Sequence, residues 1–146
     1  MTTTLDQVLN DPLELISRLK IKDKKGKYKK FGEVITPEQI DIINTIHSHD
    51  RIAIVKARQM GITTAVRGYC FWEVFSSPES LNSSVVSNKH NSACELLKID
   101  RRFFNTLPKP LRRTMQDRKD RLTFSSTDSS LMAASSQSDS QVFFFF

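Results

Sequence analysis

The sequence predicts an α/β fold: a partial parallel sheet with helices packed against it. Three observations carry this. Ile52-Ala53-Ile54-Val55 is a short continuous apolar run, the pattern of a strand covered on both faces. A glycine-containing loop follows it directly and leads into a helix of about three turns ending near Phe75. Ser83-Ser84-Val85-Val86-Ser87 then reads as a second strand, and a helical stripe runs on from about Asn88. Strands alternating with helices are the signature of βαβ organisation.

The remaining elements follow in chain order. Leu5, Val8, Leu9, Leu13, Ile16 and Leu19 recur at helical spacing, broken at Asn10-Asp11-Pro12, where Asp11 caps a restarted helix with Pro12 in its first turn. Residues 20–30 carry seven lysines, and Lys24-Lys25-Gly26 between short alternating arms suggests a basic hairpin or a loop. Thr36-Pro37-Glu38-Gln39 opens a helix with Ile40, Ile43 and Ile46 on one face. The helix after the loop (Ala65, Val66, Tyr69, Cys70, Phe71, Trp72, Val74, Phe75) is apolar nearly all round and must be packed on several sides, with Gly68 giving room for close approach to a sheet. Ser76–Glu79 is a loop. Ala93, Leu96, Leu97, Phe103 and Phe104 form the next helical stripe, which Leu107-Pro108-Lys109-Pro110 stops. Leu122-Thr123-Phe124 and Leu131-Met132-Ala133 read as two short strands that pair around Asp128-Ser129. The organisation expected is a helical segment and basic hairpin over 1–30, an α/β domain over 31–141, and an aberrant Phe-rich tail over 142–146.

Composition sets limits. Apolar residues make up 38% of the 146 positions, and four of the ten phenylalanines are the last four residues, so the core is modest. The net charge of +6, from 22 basic against 16 acidic residues, favours polyanionic partners. The two cysteines, Cys70 and Cys94, lie in apolar helical patterns and suggest no disulfide framework, so a reducing cytoplasm is the expected setting. Metal-ligand spacing is lacking, and no apolar run reaches the roughly 20 residues of a membrane span.

Chemistry concentrates at Lys56-Ala57-Arg58-Gln59-Met60-Gly61-Ile62-Thr63-Thr64. Strand, glycine loop, threonine and helix is the arrangement that cradles phosphate, because loop and helix N-terminal N–H groups point at the anion. The usual pattern is Gly, four residues, then Gly-Lys-Ser/Thr. Here Ile62 takes the lysine's place, and Lys56 stands where the first glycine would be. A loop that wraps phosphate brings its two ends together, so Lys56 can reach the same β/γ oxygens, Thr63 can supply a hydroxyl to Mg²⁺, and Arg58 is a second cation. A plain strand–loop–helix with Thr63-Thr64 as a cap accounts for the same spacing. Gln39 has two roles open to it: its carboxamide matches the N6 and N7 edge of adenine, and it closes a Thr-x-x-Gln capping box with Thr36.

Residues 56–64 resemble the variant Walker A of phage terminase large subunits, in which the lysine is often moved to the start of the loop. Thr36–Gln39 is similar to that family's adenine-recognition glutamine, and Val85-Val86-Ser87-Asn88-Lys89 through Ala93 to its next strand and helix. Leu107-Pro108, Leu122–Phe124 and Asp128–Leu131 are similar to its later strand pair. The likeness spans about residues 31–141 in order and spacing. It implies a P-loop NTPase domain of the RecA/ASCE type, binding ATP and Mg²⁺ through Gln39 and the loop residues Lys56, Ala57, Arg58, Gln59, Met60, Gly61, Ile62, Thr63 and Thr64, with Thr63 on the metal. It further implies an ATPase motor moving double-stranded DNA into a capsid, portal protein and small terminase subunit as partners, homo-oligomers at full length, no membrane, and a phage or prophage protein in bacterial cytoplasm. The family's Walker B strand, coupling motif and nuclease domain have no counterpart here, so the resemblance implies a shortened or frameshifted chain that does not hydrolyse ATP at a motor's rate, its catalytic acid unassigned. A helicase-like ATPase and a non-catalytic nucleic-acid-binding prophage remnant are the alternatives.

Lesser features have plainer readings. Tyr28 and Phe31 pack locally more readily than they stack on a base, and the 20–30 lysines form a solvated face more readily than a DNA contact. His47 and His49 do not share a helical face, so no metal site is expected there, and His90 shows no partner. Arg101-Arg102 and Arg112-Arg113 read as exposed ends.

Overall fold

The computed structural model describes residues 4–58 and 60–136. Gln59 and the Phe-rich segment 142–146 lie outside the described residues.

The N-terminal periodicity becomes two short helices, α1 (Leu5–Asn10) and α2 (Pro12–Arg18). Thr4 and Gln7 close a capping box on α1, and the Asp11 carboxylate accepts from the Leu13 N–H at 2.9 Å to start α2 behind Pro12. Strands β1 (Lys20–Lys22) and β2 (Tyr28–Lys30) form the basic hairpin, antiparallel with Lys20 opposite Lys30. The Asp23 carboxylate holds the turn, accepting from the Lys25 and Lys27 N–H groups at 2.9 Å each. A single turn, α3 (Phe31–Val34), carries Phe31 into the core, which the sequence reading does not anticipate as a helix.

Helix α4 (Pro37–Ser48) begins with the expected Thr36/Gln39 capping box, and α5 (Ile62–Ser76) and α6 (His90–Asn105) are the two long helices. α5 is buried on several sides. Trp72 donates its indole N–H to the Leu9 carbonyl at 2.9 Å, and Phe71 and Phe75 stack on each other and meet Phe124 edge-on. Phe103 of α6 joins them edge-on through Phe71. These rings lock both helices to one another and to the sheet. Gly68 faces Ile16 and Phe31 rather than a strand, so the close approach it permits is to α2 and α3.

The sheet has strands β3 (Asn82–Ser87), β4 (Met115–Arg118), β5 (Arg121–Phe124) and β6 (Ser129–Ser135) in the order β3-β6-β5-β4. Among the described residues only β3 and β6 pair in parallel; β6–β5 and β5–β4 are antiparallel. The sheet is therefore mixed where a parallel one is expected, because β4, β5 and β6 follow one another through short turns, and a tight turn returns the chain antiparallel. Leu122 faces Leu131 across the β5–β6 pair, as the two apolar triplets suggest.

One expected element does not form. Ile52–Val55 pairs with no described strand and all four residues are exposed, Val55 fully so at 101%. A strand requires a neighbour to take its backbone N–H and C=O groups. An apolar run of four residues is compatible with a buried strand but cannot supply that neighbour. Among the described residues no helix is long and apolar enough to cross a membrane.

Candidate phosphate-binding site

Gly61 sets the geometry at the start of α5. Its φ of +69° is left-handed, which favours glycine, and it serves as the N-cap of the helix without a side-chain cap. The first backbone N–H groups of α5 are consequently left without a side-chain acceptor, which is the condition for anion capture at a helix N-terminus.

Gln39 braces this turn from behind. Buried at 6% exposure, it accepts from the Thr36 N–H through Oε1 at 2.9 Å and donates Nε2 to the Met60 and Gly61 carbonyls at 3.3 and 3.2 Å. Both ends of the carboxamide are therefore engaged within the chain. A Cβ at position 61 would collide with Nε2. The capping-box role of Gln39 is visible here, together with a loop contact, 22 residues along the chain, that the sequence reading does not include.

Lys56 and Thr63 line the same groove, a cavity of about 340 Å³ bounded by Ile54, the Val66 and Arg67 turn of α5, and Val85 on the free edge of β3. The volume falls in the range of small-molecule sites, roughly 300–1,000 Å³. Lys56 is exposed and Thr63 half-buried. Ile62, 2% exposed, lines the groove as well, and its aliphatic side chain supplies no cation there. Ala57, Arg58 and Met60 are exposed and, with half-buried Thr64, do not line this groove.

A buried ion pair under the groove escapes the sequence reading. Arg67 donates Nε to Asp100 Oδ1 at 3.2 Å and Nη2 to Oδ2, tying α5 to α6. Burial raises the Asp100 carboxyl to about 6, opposed by the guanidinium beside it. The signal was available: Arg67 interrupts a helix apolar nearly all round, and Asp100 falls on the Leu97–Phe103 stripe, so each charge had to be satisfied inside.

A larger cleft of about 590 Å³ lies toward the other end of α5, lined among others by His47, His49, Tyr69 and Glu73. It carries none of the cations of the 56–64 loop. His47 accepts from or donates to the Tyr69 hydroxyl at 3.2 Å, and burial raises Tyr69 to about 12. Burial also raises Glu73, opposed by the charge of His47.

Several lesser expectations change. His90 has a partner, its Nε2 lying 3.5 Å from Cys94 Sγ one turn along α6. Arg101 grips Asp117 at 2.8 and 2.9 Å and so fastens α6 to β4, while Arg112 donates to the Leu107 and Asn105 carbonyls and Arg113 lies 4.9 Å over the Phe75 ring. Arg112 is exposed as expected, while Arg101, Arg102 and Arg113 are half-buried. Phe31 is core and Tyr28 is exposed under Lys22. Both cysteines are free thiols, and among the described residues no group of three or more His, Cys, Asp and Glu side chains could hold a metal.

No family model and no curated protein matches the chain.

Proposed function

We propose that the chain is the ATP-binding portion of a P-loop motor that packages viral DNA, of the terminase large subunit kind. The observation that carries the reading is the convergence of Lys56 and Thr63, seven residues apart, on one groove at the uncapped start of α5. A cation, a hydroxyl and a run of helix N–H donors are the groups a triphosphate end requires. In this reading Lys56 meets the β/γ oxygens, Thr63 holds Mg²⁺, Arg58 supplies a second cation from the exposed turn, and Gly61 lets the backbone approach. Bound Mg²⁺ would neutralise phosphate charge; the chain's own part is to bind and orient. Gln39 reads adenine by exchanging its bonds to the Met60 and Gly61 carbonyls for bonds to the base, which would couple base identity to loop position.

Thermal unfolding with and without ATP and Mg²⁺ tests this. A ligand bound only by the folded chain stabilises it by RT ln(1 + [L]/Kd), about 2.7 kcal/mol at 100 times Kd. Stabilisation by ATP that requires Mg²⁺, with the Mg²⁺ requirement lost in Thr63→Ala, supports the assignment. No shift at millimolar nucleotide counts against it.

A further inference from the structure

The basic hairpin has a built-in asymmetry. In a strand successive side chains alternate faces, and the register pairs Lys20 with Lys30, Ile21 with Lys29 and Lys22 with Tyr28. One face therefore carries Lys20, Lys22, Lys30 and Tyr28, all exposed, while the other carries Ile21, half-buried against the core, and Lys29, paired with Asp23 at 3.4 Å. The turn adds Lys24, Lys25 and Lys27. Among the described residues the Lys29–Asp23 contact is the hairpin's one ion pair, so six lysines have no carboxylate.

This charge is held in place rather than loosely tethered. Asp23 fixes the turn through two backbone N–H groups, which lower its own pKa, and the Phe31 N–H donates to the Leu19 carbonyl at 2.8 Å to anchor the hairpin base. Lys20 directly opposite Lys30 is a like-charge pair, which is destabilising across an antiparallel ladder. A polyanion laid along the outer face relieves that repulsion.

We propose that the outer face of the 20–30 hairpin binds the phosphate backbone of a nucleic acid duplex without regard to sequence. Lys20 and Lys22 stand about 6.6 Å apart along the strand, a span of about two nucleotides at 3.4 Å of axis each. Lysine is a compact point charge on a flexible stem, suited to phosphate. Ile21 is turned inward, which leaves Tyr28 as the face's single large ring and no apolar face for a lipid surface. The inference extends the packaging-motor reading by naming an element that meets the DNA. Its test uses no nucleotide, so failure of either reading leaves the other standing.

The experiment is fluorescence anisotropy of a labelled mixed-sequence DNA duplex with the full chain, across a salt series. Each phosphate contact contributes about 0.9 to the slope of log K against log salt. The Lys20→Gln/Lys22→Gln/Lys30→Gln variant is expected to lower that slope by about 2–3 and to weaken binding roughly 10-fold or more near 0.1 M salt. Lysine-to-arginine replacement at the same three positions restores binding. The variant Lys89→Gln/Lys109→Gln/Lys119→Gln removes equal charge elsewhere and leaves the slope within about 1 of the parent. Circular dichroism on each variant confirms folding. Equal losses in both triple variants would reduce the effect to net charge and overturn the proposal. So would absence of duplex binding, or preference for phosphatidylserine vesicles over the duplex.

Discussion

Replacing Gly61 by alanine perturbs the site at one atom, and its cost follows from the geometry. The residue sits at φ +69°, where a Cβ costs about 1–2 kcal/mol. That Cβ would also collide with Gln39 Nε2. The amide is the far end of a flexible side chain and can swing aside, but only by giving up its bonds to the Met60 and Gly61 carbonyls, worth about 0.5–1.5 kcal/mol each. The total is about 2–5 kcal/mol. A double-mutant cycle in urea separates the parts. In a Gln39→Ala background the collision is gone, and Gly61→Ala should cost only the backbone share, about 1–2 kcal/mol. The expected coupling is the remaining share, about 1–3 kcal/mol. Strictly additive costs would refute the brace between Gln39 and the loop.

Further outcomes follow from the same structure. Thr36→Ala should destabilise the chain by about 1 kcal/mol through loss of the α4 cap, read by urea unfolding. Val55→Ser should change stability by less than about 0.5 kcal/mol, since the side chain is fully exposed; a loss of several times that would restore the buried-strand expectation. Asp100 carries the pH dependence. Its folded pKa of about 6 lies above its ordinary 3.8, so its contribution is fully present below about pH 4 and is lost as pH rises through 6. The displacement corresponds to about 3 kcal/mol. Melting from pH 4 to 7 should show that decline in the parent and not in Asp100→Asn; parallel profiles would contradict it.

Helices were legible wherever caps and spacing agreed. Thr36-x-x-Gln39, Asp11-Pro12 and the Ala93–Phe104 stripe each state their helix locally, because a cap is a contact between residues three apart. Strands depended on neighbours. Met115–Arg118 carries little alternation and lies mostly exposed, so β4 forms through its pairing with β5 and the Arg101–Asp117 clamp rather than through a pattern of its own. Ile52–Val55 shows the converse, a strand-like run with no strand partner among the described residues. At the candidate site, loop spacing singles out Lys56, Gly61 and Thr63, and the structure sets Lys56 and Thr63 on one groove with Gly61 at the N-cap of α5. The brace from Gln39 was not legible, and for Arg67 and Asp100 the burial was signalled but the partner was not, because both contacts join residues more than 20 positions apart.

Titration of the chain with a fluorescent ATP analogue in Mg²⁺ tests most directly the claim that the displaced Lys56 serves the phosphate loop. A charge-assisted bond is worth about 1.5–3 kcal/mol, so Lys56→Ala should weaken binding by roughly 10- to 150-fold with the fold retained. Unchanged affinity in a folded Lys56→Ala, with the loss appearing in Arg58→Ala, would contradict the assignment and transfer the role to Arg58.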